Sequence, residues 1–210
     1  VIRYSARIRS LAVGLAALAG FVDTLGFLQL DGFFVSFMSG NSTRLAVGLA
    51  QGSVHALIAG GLVATFLIGV IGGATMGRWA KSHRRPAVLT LVSGLLGIGA
   101  VMATLGSMPL AIGCMILAMG AENAVFEDNG EVRIGLTYMT GALVRIGQGI
   151  SSALAGGSAQ TWIPFLTLWL GLVVGGVIGA LTYGYLGLGG LWIAAGAAAA
   201  MAAASARLEP

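Results

Sequence analysis

Apolar residues fill this chain in eight runs, at approximately 10–30, 33–51, 55–79, 87–106, 109–126, 134–154, 161–185 and 188–206. Short polar or glycine-rich points separate them, at 31–32, 52–53, 81–86, 107–109, 127–133, 156–160 and 187–190. From Pro86 to Ala121 there are 36 consecutive uncharged positions, and after Arg145 there are 61 before Arg207. A membrane helix needs about 20 apolar residues, so the last stretch alone holds two spans and a turn. The pattern predicts an all-α polytopic membrane protein.

Composition sharpens this reading. Of 210 residues 57% are hydrophobic and only 9% charged, against about 25% charged in a soluble domain. Eighteen charges cannot cover a water-facing surface, which excludes a soluble enzyme, a nucleic-acid binder and a secreted domain. The net charge of +4 comes from flanking clusters. Arg3, Arg7 and Arg9 precede the first run, and Arg78, Lys81, Arg84 and Arg85 surround His83 between the third and fourth. Such clusters hold loops on the cytoplasmic side, which is a better account of them than a polyanion site. The lone Cys114 excludes an internal disulfide and a cysteine metal cluster, and packing is its expected role. Arginines, an apolar run and Ala17-Leu18-Ala19 imitate a secretory signal. The repeat described next argues for a retained segment, since cleavage would remove most of one repeated helix.

Two halves of the sequence correspond. Phe37-Met38-Ser39-Gly40-Asn41-Ser42-Thr43-Arg44-Leu45 matches Tyr138-Met139-Thr140-Gly141-Ala142-Leu143-Val144-Arg145-Ile146 at an offset of 101, and Gly48 falls on Gly149. Gly20-Phe21-Val22-Asp23 aligns with Gly120-Ala121-Glu122-Asn123 at an offset of 100. The glycine-rich faces around Gly69, Gly73 and Gly77 and around Gly171, Gly175 and Gly179 correspond at offsets of 102 to 103; small residues of this kind let membrane helices approach closely. The sequence thus divides into a first repeat, 1–106, and a second, 107–210, within one membrane domain.

Gly20-x-Val22-Asp23, Phe37-Met38-Ser39-Gly40-Asn41 and Asn123-Ala124 with Met139-Thr140-Gly141 resemble the YoaK family of bacterial membrane proteins, the domain of unknown function 1275. The resemblance covers essentially the whole chain. It implies a helical membrane fold and a loose permease label without a substrate. The family often has Thr where Ser39 stands, and Gln where this chain carries Glu122.

If all eight runs span, the N-terminal arginines and the 78–85 cluster fall on opposite faces, against the positive-inside rule. If the second and sixth runs enter and leave on one side, each half has three spans, the repeats are inverted, and the N-terminus, the cluster and Arg207 all face the cytoplasm. The inverted arrangement is favoured, with second and sixth segments broken or re-entrant and helix breaks at Gly40 and Gly141, as in transporters built from inverted repeats.

Asp23, Arg44, Glu122 and Arg145 are the ionisable residues within apolar runs, each costing about 2.5–3.5 kcal/mol at the bilayer centre. Were the second and sixth runs straight spans, both arginines would lie about 18 Å deep at 1.5 Å per residue. Two readings stand. One is structural pairing across the halves, Asp23 with Arg145 and Glu122 with Arg44. The other is a central polar site in which Asp23, Asn41, Ser42, Thr43 and Arg44 meet Glu122, Asn123 and Arg145. Asn41, Ser42 or Thr43 would cap a half-helix whose N–H groups and dipole favour an anion; alternatively the hydroxyls bond their own helix and Asn41 joins two helices. The acidic loop 127–131 reads as solvated, and a calcium site there lacks ligands. No cofactor, metal set, nucleotide loop or nucleophile–base constellation can be assembled, so an enzyme is not expected.

The expected function is a secondary transporter or facilitator for a small polar solute, an anion or carboxylate slightly favoured, in the bacterial inner (plasma) membrane with a cytoplasmic N-terminus. The alternatives are a channel on the same scaffold and a non-transporting membrane protein. Its partners are a small-molecule or ion substrate and the lipid bilayer, not nucleic acid, and a homo-oligomer remains open.

Overall fold

The computed structural model describes residues 5–128, 131–132, 135, 137–158 and 160–207. Its helices are α1 (Ala6–Gln29), α2 (Met38–Gln51), α3 (Val54–Ala80), α4 (Arg84–Thr104), α5 (Met108–Glu122), α6 (Met139–Leu154), α7 (Ile163–Leu186) and α8 (Leu191–Ala206). Local chemistry sets several ends. The Ser5 hydroxyl accepts the Ile8 N–H at the start of α1. Prolines open α5 and α7, where a missing N–H costs nothing. A left-handed Gly52 closes α2.

Four stretches are long and apolar enough to cross a membrane: Ala6–Gln29, Val54–Thr104, Met108–Phe126 and Ile163–Ala206. The second and fourth each fold into two helices joined by a 3-10 turn, α3 with α4 and α7 with α8, so the four stretches supply six helices, with α5 and α8 extended by adjoining 3-10 turns at 123–126 and 187–190. At 14 and 16 residues, α2 and α6 measure about 21 and 24 Å, short of a hydrocarbon core of about 30 Å. Neither is among the stretches long and apolar enough to cross. The expected helix breaks at Gly40 and Gly141 are not there. Both half-helices begin two residues before the glycines, at Met38 and Met139, and Gly40 and Gly141 sit in their first turns. The non-helical lead-in reaches back to Phe33 in the first half.

α1 packs along α7, α3 along α5 and α4 along α8. The first two contacts are backbone against backbone. A Cβ at Gly175 would overlap the Ala17 carbonyl and one at Gly179 the Phe21 carbonyl, while Gly69 and Gly73 stand in the same relation to Leu117 and Ala121. Gly20 lies against Leu172 and Gly176, and Gly120 against Phe66 and Val70. α1 and α7 thus run parallel, as do α3 and α5. Every one of these contacts recurs when α1 residues are advanced by 100 and α3 residues by 106. The glycine faces correspond at 106, not at the 102 to 103 of the sequence alignment. The difference is about one helical turn, so aligning like glycines slid one face past its true partner.

α4 and α8 run antiparallel. Ser93 Oγ donates to the Ala195 carbonyl at 2.9 Å, and Gly99 approaches Leu191, so residue numbers rise on one helix as they fall on the other. The core lies between these pairs, around Leu15, Val22, Leu25, Leu89, Leu96, Met115, Met119 and Leu191.

Candidate functional site

The site begins with a backbone problem. After α1 the chain reverses at Asp31 (φ 50°) and Gly32 (φ 97°) and returns along α1 without helical hydrogen bonds. In an apolar surrounding each unsatisfied N–H costs several kcal/mol, and here side chains satisfy three in succession. The Phe34 N–H donates to Asn41 Oδ1 at 3.1 Å; the Val35 and Ser36 N–H groups donate to Asp23 Oδ1 at 2.9 and 2.7 Å. Asn41 Nδ2 also donates to the Phe34 carbonyl at 2.7 Å. Asp23 stands six residues before the end of α1, so the returning strand penetrates about 9 Å along that helix before α2 starts.

The second half carries a weaker counterpart. Asn123, which aligns with Asp23, accepts the Thr137 hydroxyl at 3.2 Å and donates to the Met119 carbonyl at 2.9 Å. Thr137 is the residue that aligns with Ser36. An acid holding two N–H groups is matched by an amide holding one hydroxyl.

These anchors bring the starts of α2 and α6 to a common cavity of about 390 Å³, lined by residues 36–39 of one half, 137–141 of the other and Phe66 of α3. Neither helix has a side-chain N-cap. In the first turn of α2 the Met38 and Gly40 N–H groups donate to the Ser36 and Phe37 carbonyls, each at 3.1 Å, so backbone takes the place of a side-chain cap there. Each N-terminus also carries the equivalent of about half a positive charge. The hydroxyls of Ser39, Thr140 and Tyr138, all on exposed side chains, add polar groups to a lining otherwise dominated by Phe37, Met38, Phe66 and Met139.

None of the eight residues expected to bind substrate lines this cavity. Asp23, Asn41 and Asn123 act one step back, as anchors. Ser42 and Thr43 are exposed and donate to the Met38 and Ser39 carbonyls of their own helix at 2.8 and 3.2 Å, the bland alternative for these hydroxyls. No cap comes from Asn41, Ser42 or Thr43, because all three lie inside α2. Arg44 rests over the Phe33 ring at 4.9 Å and Arg145 over Phe165 at 5.2 Å. Glu122 is fully buried, and neither carboxyl oxygen has a hydrogen-bond partner; the aligned position in the first half is Val22.

The expected cross-half ion pairs do not form. Among the described residues none of Asp23, Arg44, Glu122 and Arg145 is in a salt bridge, whereas Arg84 pairs with Glu127 at 3.2 Å. Glu127 is therefore more than a solvated loop residue. Arg3, Asn129, Gly130 and Arg133 lie outside the described residues. Sequence reasoning missed Ser36, Met38, Ser39, Thr137, Tyr138, Met139 and Thr140, although the signal was present. They are the first residues of the repeated block and, in Ser36 and Thr137, the positions immediately before it, just upstream of the polar run that drew attention.

The absence of pairing sets an expected outcome. In a double-mutant cycle of Asp23→Asn and Arg145→Gln, measured by thermal or denaturant unfolding of the detergent-solubilised protein, the effects should add to within about 0.5 kcal/mol. Coupling well above that would restore the paired arrangement. Asp23→Leu alone should cost about 2–4 kcal/mol, since it leaves two buried N–H groups unmet.

Residues 11–204 match the family described as "Protein of unknown function (DUF1275)". The chain is also 37% identical over 196 residues to a protein of Rhizobium meliloti (strain 1021) described as UPF0700 transmembrane protein RA0705, covering 93% of this chain and 85% of that one. No solved structure matches the chain.

Proposed function

The chain belongs to the DUF1275 family of proteins of unknown function, with a transmembrane protein among its relatives, and from that premise we propose that it is a transporter or facilitator for a small polar solute, with an anion or carboxylate preferred. One observation carries the reading: two short helices, α2 and α6, start at the same cavity without side-chain N-caps, and the hydroxyls of Ser39, Thr140 and Tyr138 stand in its otherwise mostly apolar lining. Helix N-termini whose dipole ends converge on one cavity suit anionic groups, and broken helices at the meeting of two repeats are where transporters place substrate. Reconstitution into proteoliposomes and uptake of a panel of radiolabelled small carboxylates tests it. Ser39→Ala with Thr140→Ala should cut uptake roughly thirtyfold, at about 1 kcal/mol per lost hydrogen bond, while folded yield stays unchanged. No uptake of any anion over protein-free liposomes would overturn the reading.

The halves are read as inverted repeats. The support is the antiparallel course of α4 and α8, aligned elements that would run parallel in an eight-span arrangement of parallel repeats. The basic cluster at 78–85 and Arg207 then share the cytoplasmic face with the N-terminus, at the inner membrane. In a Cys114→Ser background, a single cysteine at Gln51 should react with a membrane-impermeant thiol reagent in intact cells, and one at Ser158 should be shielded. Eight full spans would put both on the same face and give both the same labelling.

A further inference from the structure

A second cavity, of about 550 Å³, opens where the turn after α1 meets the outer half of α2 and the start of α3. Arg44 forms part of its wall. The guanidinium is stacked on Phe33, with Phe34 at 6.0 Å, and a Cβ at Gly32 would lie 3.1 Å from Nη2. Ring and turn therefore fix its plane. Among the described residues Arg44 has neither a hydrogen bond nor an ion pair. Ser53, also in the wall, carries a buried hydroxyl with no partner, and the His55 ring rests against Phe33 at 5.9 Å. Leu30, Val47 and Ile58 add apolar surface to the lining.

We propose that this cavity is a distinct binding site for a small monocarboxylate. An oriented guanidinium with unused donors matches the two oxygens of a carboxylate in bidentate fashion. The Ser53 hydroxyl supplies a further donor, and the apolar surface takes a short hydrocarbon tail. Asp31, at the rim and unpaired with Arg44, repels a second negative charge, so dicarboxylates bind less well. Arg44 is six residues along α2 from Met38, so the two cavities lie about 9 Å apart by helical rise along the same helix. The site's role as a vestibule rests on the transport reading; binding itself does not.

The test uses a local reporter. Val47, half exposed at the cavity wall, is replaced by cysteine in the full-length Cys114→Ser protein held in phosphatidylcholine nanodiscs, and alkylation by N-ethylmaleimide is followed with propionate, succinate or propylammonium present. Propionate should slow alkylation, succinate should do so less, and propylammonium not at all. Adding Arg44→Gln should raise the propionate concentration needed by about tenfold or more, as expected for loss of a charge-assisted bidentate contact. Gly141→Leu, in the other cavity, should leave protection intact. Equal protection with and without Arg44→Gln, when both variants elute as folded protein, overturns the site. So does protection by phosphatidylglycerol that propionate cannot match, which would assign the guanidinium to a lipid phosphate. Protection without uptake in proteoliposomes would sink the transport reading and leave this site standing; uptake without protection would do the reverse.

Discussion

Replacing Gly175 with valine should abolish accumulation of folded protein. At this point α7 lies directly on the Ala17 backbone of α1, and even a Cβ would overlap the Ala17 carbonyl. In lipid there is no hydrophobic drive to hold two helices together, so the contact depends on dispersion between surfaces that approach closely. Overpacking a core usually costs about 1–3 kcal/mol because side chains can shift. Here the obstructing atoms are backbone on both helices, and the cost should reach the rare range above about 4 kcal/mol. Gly20→Val, Gly69→Val and Gly120→Val should behave alike, since each would press on a carbonyl of the facing helix. Gly113→Ala and Gly196→Ala are the controls. A Cβ at either meets nothing within 4 Å, and the gain in helix propensity, about 1 kcal/mol, makes them neutral or slightly stabilising. Size-exclusion profiles and thermal melts of the six variants decide the matter. A Gly175→Val protein that melts within a few degrees of the parent would mean that α1 and α7 do not pack this way.

Much of this architecture can be read from residue order. Charge-poor stretches locate the helical stretches long and apolar enough to cross because a bilayer tolerates few charges, and the repeated aromatic-Met-[Ser/Thr]-Gly block marks the starts of α2 and α6. The offset of the glycine faces cannot be read in the same way. Glycines recur every three or four residues on α3 and α7, so an alignment one turn out of register scores as well as the true one, and only the facing helix distinguishes them. The charges mislead for a different reason. Opposite charges within apolar runs suggest pairs, but Asp23 answers the N–H groups of Val35 and Ser36 instead. Non-helical backbone inside a membrane protein creates a demand for acceptors that residue types alone do not display. Arg44 and Arg145 lie over the Phe33 and Phe165 rings and not against acids, contacts with neighbouring segments that a straight-helix depth estimate cannot anticipate.

Gly141→Leu should stop transport while leaving the protein folded, and it separates the central cavity from every packing effect. Gly141 sits in the first turn of α6, lines the cavity, and has nothing within 4 Å of the place a Cβ would take. A leucine there fills open space, improves helix propensity by about 1 kcal/mol and need not displace a neighbour. Its branched tip would occupy part of the cavity of about 390 Å³ where α2 and α6 start, beside the Thr140 and Tyr138 hydroxyls. Its aligned counterpart makes the comparison informative. A Cβ at Gly40 would lie 2.8 Å from the rings of both Phe34 and Phe37, so Gly40→Leu should lower folded yield as well as flux. Two aligned glycines thus give opposite stability outcomes, a difference that comes from the structure and not from the repeat. Uptake of the best carboxylate from the proteoliposome panel should fall to the protein-free level for Gly141→Leu, with a melting temperature equal to or above the parent's. Uptake at the parent's rate would place the path elsewhere, and the convergence of α2 and α6 would then be a matter of assembly alone.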